Sequence, residues 1–101
     1  MSAAPVALLE LSPVRGREHR LVPGAAIGRA GGCRPRVGDP LVSRRHAQVW
    51  AADAAIALQD LGSRHGTFVN GERVTGITAL GLGDRVMIGA TLLLVVRERL
   101  A

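Results

Sequence analysis

The chain has 101 residues, a formal net charge of +5 at pH 7 and 48% hydrophobic residues. That length suits one domain, here residues 1–101, and the hydrophobic content is too high for a disordered chain. A single cysteine, Cys33, excludes an internal disulfide, and apolar runs such as Leu92–Val96 are strand-sized, far below a membrane span of about 20 residues.

Apolar residues come in short runs broken by Gly, Pro, Asn and Asp, and no segment sustains a capped 3.6-residue period, so β-structure is expected throughout. In chain order the predicted strands are Val6–Leu11, His19–Val22, Ala25–Gly28, Arg36–Val37, Ala47–Ala51, Ile56–Asp60, Thr67–Val69, Glu72–Val74, Ile77–Leu80, Asp84–Ile88 and Thr91–Val96. Arg15-Gly16-Arg17 reads as the tip of a first hairpin. The Ala-rich stretch Ala51–Ala57, with Asp53 inside it, reads as a turn between two strands rather than a helix. Asn70-Gly71 is a strong hairpin signal, because a type I′ turn needs positive φ at both central residues. Gly83-Asp84 and Gly89-Ala90 mark two more turns. Eleven short, closely spaced strands specify an all-β fold, a β-sandwich of mostly antiparallel strands.

Three loops carry the candidate chemistry: Gly28–Arg34, Asp39–His46 and Leu61–Thr67. Each follows a strand, and loops at one end of a sandwich converge. Together they hold Arg29, Arg34, Arg44, Arg45, Arg64, Ser43, Ser63, His46 and His65, with Asp39 the carboxylate nearby. A gathering of guanidinium and hydroxyl donors suits a phosphate group of about −1.5 to −2 charge with three acceptor oxygens. All thirteen basic residues are Arg. The basic balance points to acidic partners in general: phosphorylated protein, nucleic acid or a membrane surface.

Other chemistries fit less well. Ser43 and His46 lack a Gly-x-Ser-x-Gly elbow or a placed carboxylate, so no catalytic triad is read. The run Gly28-Arg29-Ala30-Gly31-Gly32 lacks the Lys-Ser/Thr ending of a P-loop, and the chain has no Lys. His19, His46, His65 and Cys33 lack zinc spacing, so neither metal nor cofactor is expected, and Cys33 reads as an exposed or half-buried loop thiol. Trp50 and Phe68 are the only aromatics, too few for stacking single-stranded nucleic acid, and no helix is available to read a groove. Neither nucleic-acid binding nor membrane insertion is therefore expected. Met1–Pro5 lacks the basic and apolar blocks of a signal peptide, which together with the lone cysteine points to the cytoplasm. Ser63 reads as a turn serine closing local hydrogen bonds.

Four segments are more specific. Gly28-Arg29, Val42-Ser43-Arg44-Arg45-His46-Ala47, Asp60-Leu61-Gly62-Ser63-Arg64-His65-Gly66-Thr67-Phe68-Val69-Asn70-Gly71 and Leu82-Gly83-Asp84-Arg85-Val86-Met87-Ile88-Gly89 closely resemble the forkhead-associated (FHA) domain pattern, in family order and over nearly the whole chain. The resemblance implies a sandwich of about eleven strands with ligand loops at one end, and a non-catalytic adaptor that binds phosphothreonine-containing segments in Ser/Thr kinase signalling. The all-Arg basic set is typical of GC-rich coding, which points to a bacterial source.

Position by position, the resemblance gives Arg29 the phosphate-binding arginine's place and Ser43 that of the hydroxyl donor to phosphate. Arg44 takes an additional phosphate contact, often through its backbone. His46 braces the loops, and Gly28, Gly66 and Thr67 shape the site. His65 stands where the family usually has Asn before the Gly-Thr pair. Imidazole offers fewer hydrogen bonds than an amide, and both peptide contact and loop support are open to it. Arg64 beside it is placed to add a phosphate contact. The family prefers phosphothreonine to phosphoserine and reads the third residue after it; Leu41 is the candidate reader, implying an apolar preference there. Some relatives bind their own phosphorylated N-terminal tail, but no Thr precedes Thr67, so that mechanism is not expected. The alternative is a phosphate-independent protein-interaction scaffold on the same fold.

Overall fold

The computed structural model describes residues 6–52 and 55–97. The strands are β1 (Val6–Ser12), β2 (Glu18–Arg20), β3 (Ala26–Ile27), β4 (Ala47–Ala52), β5 (Ala55–Asp60), β6 (Thr67–Val69), β7 (Glu72–Arg73), β8 (Thr78–Leu80), β9 (Arg85–Ile88) and β10 (Thr91–Arg97). They form a six-stranded sheet, β2-β1-β10-β9-β6-β7, and a four-stranded sheet, β3-β4-β5-β8. Every strand pair in them is antiparallel.

Alternation sets the core. In β10, Thr91, Leu93 and Val95 are buried while Leu92, Leu94 and Val96 are half-buried on the other face. Val86 and Ile88 of β9 and Leu8 of β1 meet Val49, Leu58 and Leu80 of the second sheet and Ile27 of β3. The period of two thus sends one face of each sheet into a shared aliphatic core. Near its end β1 carries a bulge between Glu10 and Ser12. Beyond it the chain folds back, with Gly16 at φ +97° and its N–H donating to the Glu10 carbonyl at 2.8 Å. The Asn70-Gly71 turn has φ +52° and +85°, as its type I′ reading requires.

Among the described residues there are ten strands, where about eleven were expected. Arg36–Val37 forms no strand; it makes a single parallel bridge, Gly28 to Arg36, with the Val37 N–H on the Gly28 carbonyl at 2.8 Å. Pro35 lacks an N–H, so the segment cannot extend into a ladder on its N-terminal side. Ala52 pairs with Ala55, so β4 and β5 form a hairpin; Asp53, expected at its turn, lies outside the described residues, as does Met1–Pro5. Among the described residues no helix is long and apolar enough to cross a membrane.

The long β3–β4 connection, the β5–β6 connection and the β9–β10 turn gather at one end of the molecule. Asp39 ties the first to the third: its carboxylate accepts from the Ala90 N–H at 2.7 Å and the Thr91 hydroxyl at 2.9 Å.

Candidate functional site

Gly28 begins the site because the chain there has no room for a side chain. A Cβ on it would stand 2.8 Å from the Arg44 carbonyl carbon and closer still to its oxygen. That close approach lets the segment after β3 zip against the one before β4. The Arg29 N–H donates to the Ser43 carbonyl at 3.1 Å, the Ala30 N–H to the Arg44 carbonyl at 3.1 Å, and the His46 N–H to the Ile27 carbonyl at 2.8 Å. The Cys33 thiol also reaches the Arg44 carbonyl, at 3.1 Å. Cys33 is buried, contrary to the exposed or half-buried thiol expected; it fills the space beside Gly28 and is consumed as a hydrogen-bonded loop filler.

Arg29 is exposed, and its Nε donates to the Val42 carbonyl at 3.0 Å. That one bond fixes the guanidinium plane while leaving its terminal amino groups for a ligand. Ser43 is half-buried, and its Oγ accepts from the Arg64 N–H at 3.1 Å. With the oxygen held from behind, the hydroxyl proton is left to donate.

His46 is fully buried and bridges two loops: Nδ1 accepts from the Ser43 N–H at 3.1 Å, and Nε2 lies 2.9 Å from the Gly66 carbonyl. An amide donor at Nδ1 and a carbonyl acceptor at Nε2 select the neutral tautomer with its proton on Nε2. His46 therefore joins the Ser43 backbone to Gly66 from a buried position. Gly66, at φ +85°, lies under the Arg73 guanidinium and the Phe68 ring, where a Cβ would come within 3.2 to 3.3 Å.

The third loop is organised by Asp60, which sequence reasoning missed. One carboxylate oxygen accepts from the Gly62 and Ser63 N–H groups, both at 3.0 Å; the other accepts from the Ser63 hydroxyl and, at 2.8 Å, the Thr67 hydroxyl. The Ser63 Oγ then accepts from the Gly66 N–H at 2.9 Å. The available signal was the Asp60-x-x-Ser63 spacing of a side-chain-closed turn. Burial pushes the Asp60 carboxyl up, but the Ser63 and Thr67 donors outweigh it and hold it below the usual carboxylate value. A depressed folded-state pKa stabilises the fold fully above the unfolded value of about 3.9, and that stability is lost as pH falls through the folded value. Asp60→Asn is therefore expected to destabilise the domain by about 2 kcal/mol at pH 7. Urea unfolding should show the difference from wild type shrinking below about pH 4.

The same balance acts at Asp39. Burial raises its carboxyl, and donors from Leu41, Thr91 and Ala90 more than offset it. Its oxygens face the Leu41 N–H and the β9–β10 turn, so it serves as an anchor for the Pro40–Ser43 segment.

The result is an open cleft of about 430 Å³ lined by Arg29, Pro40, Leu41, Val42, Ser43, Arg64 and His65. Four of the five expected binding residues meet there. Arg44 does not line it; its side chain is exposed, and its carbonyl is turned to Ala30 and Cys33. Pro40 and Val42 complete the wall and had not been singled out. The lining holds two guanidinium groups, an imidazole and a hydroxyl, with no carboxylate among its residues. Such a surface suits an anion. Among the described residues no cluster of three or more His, Cys, Asp or Glu could hold a metal ion.

A sequence profile of the FHA domain matches residues 25–89, which contain all of these loops. The chain belongs to the FHA-domain family. Solved FHA domains share the fold across nearly the whole length. One, from a study of phosphothreonine-dependent FHA domain interactions, is 31% identical with a TM-score of 0.82, covering 95% of this chain and 99% of its own. The FHA domain of the CT664 protein from Chlamydia trachomatis is 27% identical with a TM-score of 0.80, covering 94% and 99%. The yeast Dun1 FHA domain, in complex with a doubly phosphorylated phosphothreonine peptide, is 25% identical with a TM-score of 0.76, covering 99% and 80%. No curated protein matched the sequence. In family terms the cleft is the end of the FHA sandwich where the expected ligand loops meet.

Proposed function

We propose that this FHA domain is a non-catalytic adaptor that binds phosphothreonine-containing segments of proteins modified by Ser/Thr kinases. The observation that carries the reading is the convergence of Arg29, Arg64 and the Ser43 hydroxyl on one cleft without a lining carboxylate. Relatives support it: the 31%-identical domain comes from work on phosphothreonine-dependent interactions, and the Dun1 domain is in complex with a phosphothreonine peptide.

Arg29 supplies a fixed planar donor for two phosphate oxygens, Ser43 donates its hydroxyl to the third, and Arg64 adds charge from the opposite loop. His65, exposed beside Arg64, contacts the peptide backbone. His46, Gly28, Gly66 and Thr67 hold the loops without touching ligand. Charge-assisted hydrogen bonds contribute about 1.5–3 kcal/mol each. Two or three of them, with backbone contacts, reach about 8 kcal/mol, a micromolar affinity. That strength suits a contact made by a kinase and undone by a phosphatase.

Calorimetric titration with a phosphothreonine peptide, its unphosphorylated twin, a phosphoserine analogue and single-stranded DNA at one salt concentration tests the reading. The phosphothreonine peptide is expected to bind in the micromolar range and the twin at least about 100-fold more weakly, from the loss of two charged hydrogen bonds. The phosphoserine peptide should lose about fivefold, near the 1 kcal/mol of one buried methyl. Equal binding of the phosphorylated peptide and its twin, or tighter binding of DNA, overturns the proposal.

A further inference from the structure

A second cleft, of about 470 Å³, adjoins the first and shares Pro40 and Leu41 with it. Its far wall is the folded-back segment after β1, with Pro13, Val14 and Arg17, and Val37 and Ala90 also line it. The lining is mostly apolar. Val14 and Leu41, 44% and 46% exposed, both belong to this one cleft. Exposed aliphatic side chains paired across a concavity mark a binding surface more than scattered ones do.

The far wall is built rather than loose. The Glu10 carboxylate, buried beneath it, accepts from the Val14 N–H at 3.1 Å and pairs with His19 Nε2 at 3.0 Å. The Glu10 backbone closes the same segment through Arg17 and Gly16, at 2.7 and 2.8 Å. Both acids in the lining are thereby occupied within the domain: Glu10 by Val14 and His19, Asp39 by Leu41, Ala90 and Thr91. Arg17 is exposed. The cleft thus offers an apolar trough with an outward cation at its lip.

We infer that this trough is an extension subsite for the same phosphopeptide, taking an apolar side chain with an acidic one beside it. The inference rests on the phosphothreonine reading, because what chooses the occupant is continuity: Leu41 is the ridge between the phosphate cleft and the trough. Ser43 and Leu41 are two residues apart, in a turn closed by the Val42 N–H on the Asp39 carbonyl at 2.9 Å, and the trough lies on the far side of Leu41. A ligand whose third residue rests on Leu41 rises about 3.3 Å per residue beyond it, so it fills the trough with residues about four to six from its phosphothreonine.

The test uses a core peptide with two neutral residues on each side of the phosphothreonine, and two extended series. One series carries a Leu-Glu pair four to six residues before the phosphothreonine, the other the same distance after it. Titrations against wild type, Val14→Ser and Arg17→Glu are expected to show one extended peptide binding wild type about tenfold more tightly than the core. Both substitutions should remove that gain and leave the core peptide's affinity unchanged, which also confirms that the variants fold. If the core binds and neither series adds affinity, or if the gain survives both substitutions, the subsite is overturned while the phosphate site stands. If the core itself fails to bind wild type, the phosphothreonine reading falls, and the subsite with it.

Discussion

Replacing Arg29 by Ala is expected to weaken phosphothreonine-peptide binding by at least about 100-fold while leaving the melting temperature within a few degrees of wild type. The side chain is exposed and makes one described hydrogen bond, to the Val42 carbonyl, so the fold loses about 1 kcal/mol at most. The ligand loses more. A planar guanidinium held at Nε presents its remaining donors to two phosphate oxygens, and each charged hydrogen bond is worth about 1.5–3 kcal/mol. Arg29→Lys separates geometry from charge. It keeps the cation but loses the fork and the anchor on Val42, and should bind between Ala and wild type. Titrating the three proteins with one peptide and melting each of them measures both effects. Equal affinity for Ala and wild type would remove Arg29 from the site.

Gly28→Ala should do the reverse, damaging the fold first and binding through it. The added methyl would overlap the Arg44 carbonyl, a backbone group locked by Ala30 and Cys33, and would sit 3.0 Å from the Cys33 sulfur. Neither neighbour is a free side-chain end that can swing away. Overpacking of this kind costs about 1–3 kcal/mol. In a domain of this size 2 kcal/mol corresponds to a drop in melting temperature of about 10 °C. The Gly28 segment carries Arg29 and is zipped to Ser43, so its displacement separates the two groups that meet the phosphate, and affinity should fall more than tenfold at temperatures where the variant is still folded. A melt shows the first effect and a titration at 15 °C the second. Wild-type stability in the Ala variant would mean that the two loops are not in the contact described.

Local chemistry made much of this legible before any coordinates. Asn70 and Gly71 take positive φ because few other residues tolerate it, so the turn and the register of its strands follow from two letters. The apolar run Thr91–Val96 marked a strand, though only the structure says which of its residues face the core, and the loop motifs named Arg29, Ser43, Arg64 and His65, which line one cleft.

What escaped depends on distances between residues remote in the chain. Arg44 and Arg45 are as basic as Arg29, and nothing local says that Arg44 turns its carbonyl inward and leaves its side chain outside the cleft. Cys33 is buried because Gly28 leaves room beside it, a fact about two loops rather than one. Asp60 holds Gly62 and Ser63 locally, but it ties the loop to the start of β6 only when Thr67, seven residues on, comes back to it. The trough exists because the segment after β1 closes over Glu10 and faces Leu41, thirty-one residues away from Glu10 in the chain. Backbone preference and hydrophobic period act over a few residues and are written into the sequence. The meeting of loops is decided by sheet stacking and by hydrogen bonds across the chain, and only the tertiary structure contains those.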